Sequence, residues 1–421
     1  MGERDSGNPG STWRAVHTGR HLVLLRDGLG RSGARALQNA TGLRVGVSTD
    51  NEGRAKPGRH VSPGEGMLFH RLGVALVHAD PDQLAALGRL GRRTDSEFVS
   101  TEPERIVRAI QLISDTGPAA GDVAGTASVA VGHVQPVSEA QDTWGLQTTR
   151  VTMSRFTGRG VRVAVLDTGL DLKHPDFATR TIVTESFVPH AAVEDGSGHG
   201  TYCVGVACGP ASPSQPPRYG VACDAELYVG KVIADDGSGT DGNILAGIDW
   251  AVRSGCAIVS LSIGSPVDPG EPFSAVYEQA AQRALAEGTL IMAAAGNDSL
   301  RPDVIAPVDH PANCPSILAI AAVDVYLRVA PFSCGGVNQD GGEVDIAAPG
   351  VAIRSSWPRP QLYRTDSGTS MATPFAAGVA ALVAEANPSK RGRELLAMLT
   401  QSALPLALPA QDVGAGLIQA P

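Results

Sequence analysis

The sequence predicts an α/β protein: a mostly parallel, doubly wound sheet with helices on both faces, preceded by a small α+β open sandwich. Three observations carry this. From Trp144 onward, continuous apolar runs of strand length alternate with helical stretches, the pattern of a parallel sheet covered on both faces. Residues 18–108 read strand, helix, strand, strand, helix, strand, an order suited to a small open-faced sandwich. Between the two, residues 109–143 are rich in Gly, Ala and Pro, which reads as a flexible linker.

Size and composition agree with two units. The chain has 421 residues with 43% hydrophobic side chains, too many for one ordinary core. Aromatics are only 4% against 50 glycines, which suits close packing of helices on a sheet. A net charge of −9 without a long basic run argues against nucleic acid as a partner. No unbroken apolar run is long enough to predict a membrane span, and the first twenty residues lack the apolar core of a secretory signal. The expectation is a cytoplasmic protein as the sequence stands, or a secreted one if a leader has been removed. Six cysteines lie in the second half without CxxC spacing, so buried free thiols are expected rather than zinc ligands. Cys208 and Cys223, flanking a Pro/Ser-rich loop, are the first pair to test for a disulfide.

Taken in order, residues 1–17 read as a disordered tail. The first unit then runs through strand HLVLLR, helix RSGARALQNAT, strand LRVGVST, strand FHRLGVALVHA, helix DPDQLAALGRL and strand EFVST. The second unit, residues 144–421, builds its sheet from VRVAVLD, AELYVGKVI, AIVSLSIG, TLIMAAAG and ILAIAAVD. Helices NILAGIDWAVRSG and SAVYEQAAQRALAEG stand between some of them. In such sheets functional residues gather at the carboxyl ends of strands, which is where Asp167 and Asn297 stand.

The segment DSGTSMATP sets Ser370 before a small-residue apolar helix. Taken alone, Ser370 reads as a helix cap. The alternative is a nucleophile at a helix N-terminus, which needs a histidine to take its proton and a third group to orient that histidine. Of ten histidines, only His199 lies in a glycine-framed turn opening a helix, DGSGHGT. Asp167, in VLDTG, is the candidate orienter, and Asn297, in AAAGND, offers an amide donor for a developing oxyanion. Each alone is a common turn; all four in this arrangement are far more specific.

The segments VAVLDTGLDLKHPDF, GHGT, SLSIG, AAAGN, APG and GTSMATPFAAGVAAL, with the closing DVGAGLIQA, resemble the subtilisin-like serine peptidases, or subtilases. The resemblance covers residues 144–421. It implies Asp167 as orienter, His199 as general base and acid, Ser370 as nucleophile, and Asn297 with the Ser370 N–H as oxyanion donors. It also implies that a peptide or protein substrate binds as an added strand between Gly237-Ser238-Gly239 and Ser262-Ile263-Gly264. The first side-chain pocket would be walled by Ser262-Ile263-Gly264 and Ala294-Ala295-Gly296, with Asp309 as its floor and Asp298 at the rim. A carboxylate there would favour Arg or Lys, unless Asp309 instead caps a local turn and points to solvent; of the two residues bracketing the linker, Arg108 and Arg150, Arg108 is in the first case the better self-cleavage site.

The first unit resembles, more softly, the inhibitory propeptides of the same family, which implies an intramolecular inhibitor and folding helper. Two departures stand out. Tyr202 follows the HGT where relatives usually carry a second histidine, with Cys203 next at a position where several relatives also carry a thiol, and the loop GPASPSQPPRYG has no carboxylate and only Gln215 as an amide. Asp176 remains, but the usual calcium site is expected to be absent, and no metal or other cofactor is expected to be required. Two rival readings stay open: a transpeptidase or peptide cyclase on the same triad, and a peptide-binding pseudo-peptidase.

Overall fold

The computed structural model describes residues 15–48, 61–93, 96–110, 138–338 and 340–421. Its first unit contains β1 (His17–Leu25), α1 (Ser32–Thr41), β2 (Arg44–Val47), β3 (Glu65–Phe69), β4 (Val74–Val77), α2 (Pro81–Gly91) and β5 (Phe98–Ala109). The strands lie in the order β2-β3-β4-β1-β5, antiparallel except for β2 against β3. Side chains alternate across a strand. Val23 and Leu25 of β1 therefore join the core beneath α1 and α2, while Leu22 and Leu24 face the rest of the molecule. Asp80 caps α2, accepting from Gln83 N while the Gln83 side chain accepts from Asp80 N.

Two details differ from the sequence reading. β1 begins at His17, inside the segment read as a tail, and Val16 accepts a hydrogen bond from Ile106 N. The single strand expected at FHRLGVALVHA is a hairpin, since β3 ends at Phe69 and β4 begins at Val74. The turn between them, His70-Arg71-Leu72-Gly73, includes a left-handed glycine (φ 59°) that the apolar pattern around it concealed. Most of the expected linker, residues 111–137, and the tail through residue 14 lie outside the described residues.

The second unit contains α3 (Trp144–Thr148), β6 (Arg162–Asp167), β7 (Ile182–Ser186), α4 (His199–Cys208), β8 (Glu226–Lys231), β9 (Ser238–Thr240) and α5 (Asp241–Arg253). There follow β10 (Ile258–Leu261), β11 (Ile263–Gly264), α6 (Ala275–Ala286), β12 (Leu290–Ala294), β13 (Leu318–Val323), β14 (Ile346–Pro349), β15 (Ile353–Ser356), β16 (Tyr363–Asp366), α7 (Thr369–Ala386), α8 (Arg393–Ser402) and α9 (Ala410–Val413). Seven strands form one parallel sheet in the order β14-β13-β12-β10-β6-β8-β7. The order reverses between β6 and β10, and ligands of such sheets bind beyond the strand ends at that crevice. Helices α4 and α7 lie in one core with one face of the sheet, and α5 and α6 in another with the other face. The outer faces of α5 and α6 receive β1, β3 and β4, so Leu24 and Leu76 share a core with Ile244 and Val276.

Helix α7 is long and apolar enough to cross a membrane by length and composition, but 89% of it is buried inside the protein. All six cysteines are free, including Cys208 and Cys223, and all but Cys223 are buried.

Candidate active site

Asp167 closes β6, and its Oδ1 lies 2.7 Å from His199 Nδ1. His199 is the first residue of α4, entered through Gly198 at φ 97°; a Cβ there would fall 2.5 Å from the Trp357 indole, so glycine is required on both counts. Asp195 ties the two turns together. Its Oδ1 accepts from Thr168 Oγ1 and Gly198 N, each at 2.8 Å, and its Oδ2 accepts from Thr201 N and Oγ1 at 2.7 Å. No sequence signal marks Asp195, which lies three residues ahead of the cap residue Gly198 and reaches the first turn of α4 only through the fold of the loop.

Burial pulls the His199 imidazole toward the neutral form. The Asp167 charge, the Cys203 sulfur and the Asp167 hydrogen bond outweigh it and leave its pKa well above the ordinary value. Cys203, one turn along α4, is itself pushed up to about 11 by burial, so it is a neutral thiol.

Ser370, in the first turn of α7, is fully buried in the intact chain. Its carbonyl accepts from Ser262 Oγ at 2.8 Å and from Cys203 Sγ at 3.6 Å. Asn297, three residues beyond β12, accepts from Thr369 N (2.9 Å) and Thr369 Oγ1 (2.8 Å) through its Oδ1. The amide is thereby oriented, and its Nδ2 lies 3.0 Å from where a Cβ on Gly368 would stand, two residues before Ser370.

The end of β5 runs through this site between two short strands. Ile106, Val107 and Arg108 pair with Thr240, Gly239 and Ser238 of β9 on one side; Arg108 and Ala109 pair with Gly264 and Ile263 of β11 on the other. Ala109 N donates to Gly237 O (3.0 Å), and Ile110 N donates to Ser262 O (3.2 Å). The Ser370 hydroxyl then donates to the Ile110 carbonyl at 2.9 Å. Arg108, the expected processing residue, is therefore two positions away from Ser370, because strand register and not charge decides which carbonyl reaches the hydroxyl. The sequence signal for Ile110 is the run RIVRA, which carries β5 as far as Ala109, one residue into the segment read as linker.

Asp309, whose N–H donates to Ala295 O, stands between the two segments expected to wall the first side-chain pocket. A Cβ on Gly264 would fall 2.7 Å from its Oδ2, and one on Gly296 2.7 Å from its Cγ. Ala294 and Ala295 are buried beside it.

Two further carboxylates cross from the first unit to the second. Glu104 accepts from Gly242 N in the first turn of α5 (3.0 Å) and from Arg20 Nε (2.6 Å). Glu102 accepts from Ser274 Oγ (2.5 Å) and from Val276 N (3.2 Å) at the start of α6. Negative groups are favoured at such helix starts.

Two groups have donor atoms close enough to share an ion: Asp167, His199 and Cys203, and Asp298, Asp309 and Cys334. In the first, Asp167 and His199 are bonded to one another. The Asp176 carboxylate, expected from the resemblance as a remnant of a calcium site, is taken up by protein donors: Ser214 N (2.7 Å), Tyr219 OH (2.7 Å) and Tyr363 OH (2.9 Å).

Residues 158–416 match the model of the subtilase family. The chain belongs to the subtilase family. Subtilisin BL of Lederbergia lenta is 37% identical to it over 281 residues, covering 66% of this subtilase and 96% of the relative. The M-protease of Shouchella clausii strain KSM-K16 is 40% identical over 250 residues, 58% of this chain, and the match spans 60% of that relative's length. Among solved structures, a cold adapted subtilisin-like serine proteinase superposes with a TM-score of 0.56 at 30% identity, over 67% of this chain and 99% of that one. The subtilase is thus a subtilisin-like serine endopeptidase by family, with the α/β fold of that family.

Proposed function

We propose that the protein cleaves peptide bonds through Ser370, His199 and Asp167, and that its own residues 17–110 occupy and inhibit the site until they are cut. The observation that carries this reading is the Ser370 hydroxyl on the Ile110 carbonyl, with a strand paired on both sides of Arg108. This supports a scissile bond after Ile110: cleavage then needs the Ser370 hydroxyl to turn its proton from that carbonyl to His199 Nε2, which has no other partner among the described residues.

His199 takes the Ser370 proton as Oγ attacks the carbonyl carbon, and Asp167 holds the imidazole by its Nδ1 and stabilises the imidazolium that forms. Asn297 and the Ser370 N–H stabilise the oxyanion. His199 then protonates the leaving amine, and water resolves the acyl-enzyme with the same base. Gly237-Ser238-Gly239 and Ser262-Ile263-Gly264 hold the substrate backbone, with Ala294-Ala295-Gly296 and Asp309 around its first side chain. No step calls for a metal.

Mass spectrometry of the purified protein beside its Ser370→Ala form tests this. The expected result is a new N-terminus at Gln111 in the unmutated protein and an intact chain in the variant. Cleavage at the same bond in the variant would overturn the triad.

A further inference from the structure

Asp309 takes no part in the proposed proton transfers. Its side chain is 3% exposed, and its Oδ1 has no hydrogen-bond partner among the described residues. It ends the slot that Ile110 enters: a Cβ built on Gly264 would fall 3.0 Å from Ile110 Cδ1 and 2.7 Å from Asp309 Oδ2. A hydrocarbon side chain therefore sits over a buried carboxyl that it cannot satisfy, and a buried polar group without a partner is costly. The titratable groups gathered with Asp309 are Asp298 and Cys334, whose donor atoms lie within 4.8 Å of one another and of Asp309. Both are acids, so neither neutralises it. Burial, and then Asp298, hold the Asp309 carboxyl well above the usual carboxylate range.

We infer that Asp309 is the specificity determinant of this slot, that the substrate side chain it receives is Lys or Arg, and that Ile110 is a mismatched occupant. The inference rests on the reading of this groove as the substrate site. A long basic side chain carries its donors past the small walls at Gly264 and Gly296 and delivers both a charge and hydrogen bonds to the unpaired oxygen. An aliphatic side chain fills only the mouth, and an aromatic one meets the carboxyl in the space its ring needs. The mismatch has a use: the chain's own segment is held by strand pairing but not by the slot, so a basic substrate displaces it on better terms.

The first test needs no hydrolysis. In the uncleavable full-length Ser370→Ala chain, Ile110→Arg is combined with Asp309→Asn, and thermal midpoints are measured for the four proteins of the cycle. The expected result is that Ile110→Arg preserves or raises the midpoint when Asp309 is present and lowers it when Asp309→Asn is present. An equal loss in both backgrounds overturns the inference. If Asp309→Asn does not fold, Asp309→Gly closes the same cycle. In the active protein, peptides differing only in the residue before the scissile bond should favour Arg over Leu by about tenfold or more in kcat/KM, the scale of one charge-assisted hydrogen bond. Asp309→Gly should erase that preference. A preference for Leu or Phe, or an Arg preference kept without Asp309, refutes the assignment while leaving the peptidase reading intact.

Discussion

The Ser262 hydroxyl donates to the Ser370 carbonyl at 2.8 Å, a contact made accessible by a proline four residues later. In an α-helix that carbonyl would accept the N–H of residue 374, but Pro374 has none. The first turn of α7 is therefore fixed from outside the helix, by the strand end that also pairs with Ile110 N. The end of the first unit and the proposed nucleophile share one anchor.

Asn297→Ala should lower kcat by about two to three decades with little change in KM, the magnitude found when subtilisin loses its oxyanion asparagine. The expectation follows if Asn297 acts only on charge that develops in the transition state. Steady-state kinetics on a short peptide checks it, and an effect confined to KM would contradict the role.

Self-cleavage and hydrolysis should both fall as pH drops, because a protonated His199 cannot accept the serine proton. The raised pKa of His199 in the intact chain places the midpoint of self-cleavage above the ordinary 6.5. The stability linkage has the same origin and the opposite sense. A pKa raised by folding stabilises fully below its unfolded value, and the contribution is lost as pH rises through the folded one. Urea midpoints of the Ser370→Ala chain should therefore decline above neutral pH. His199→Gln should flatten that part of the curve; an unchanged slope would show that another group dominates.

Glu104→Gln should loosen the first unit from the second by about 1–3 kcal/mol, since it leaves Arg20 and the start of α5 with a weaker acceptor in a fully buried place. Chemical denaturation of the Ser370→Ala chain would register the loss. Unchanged stability would mean that Glu104 contributes register but no net binding.

Chelation should leave the thermal midpoint where it is, because Tyr219, Tyr363 and Ser214 already fill the coordination of Asp176. Tyr219→Phe should instead cost about 0.5–1.5 kcal/mol, since the half-buried Asp176 loses one of the two phenolic donors to its Oδ2 and keeps the other. A drop in midpoint with a calcium chelator, restored by added calcium, would reveal a cation bound elsewhere.

Much of this was legible in the sequence for a physical reason. The strands ending at Asp167 and Ala294 are continuous apolar runs, and the turns at His199 and Ser370 are framed by glycines that mark unusual backbone. What escaped was relational. β14, β15 and β16 are four residues each, too short for periodicity to register. Glu102 and Glu104 look like surface charges along β5, and only its register against α5 and α6 turns them inward. Register likewise sets Ile110, rather than Arg108, on Ser370. Tyr202, noted only as a departure from the family pattern, receives its meaning from a distant hairpin: its hydroxyl donates to Ile353 O and accepts from Asp366 N, the pair that closes β15 against β16.

The brevity of β9 and β11 has a further consequence. On the proposed reading β5 leaves after cleavage, and the two strands would then present unpaired backbone on facing edges, the kind of template on which chains stack into aggregates. Three residues on one side and two on the other cannot nucleate a growing ladder, and the gap between them admits a single extended strand. A groove shaped this way can take up one chain after another without any of them recruiting the next.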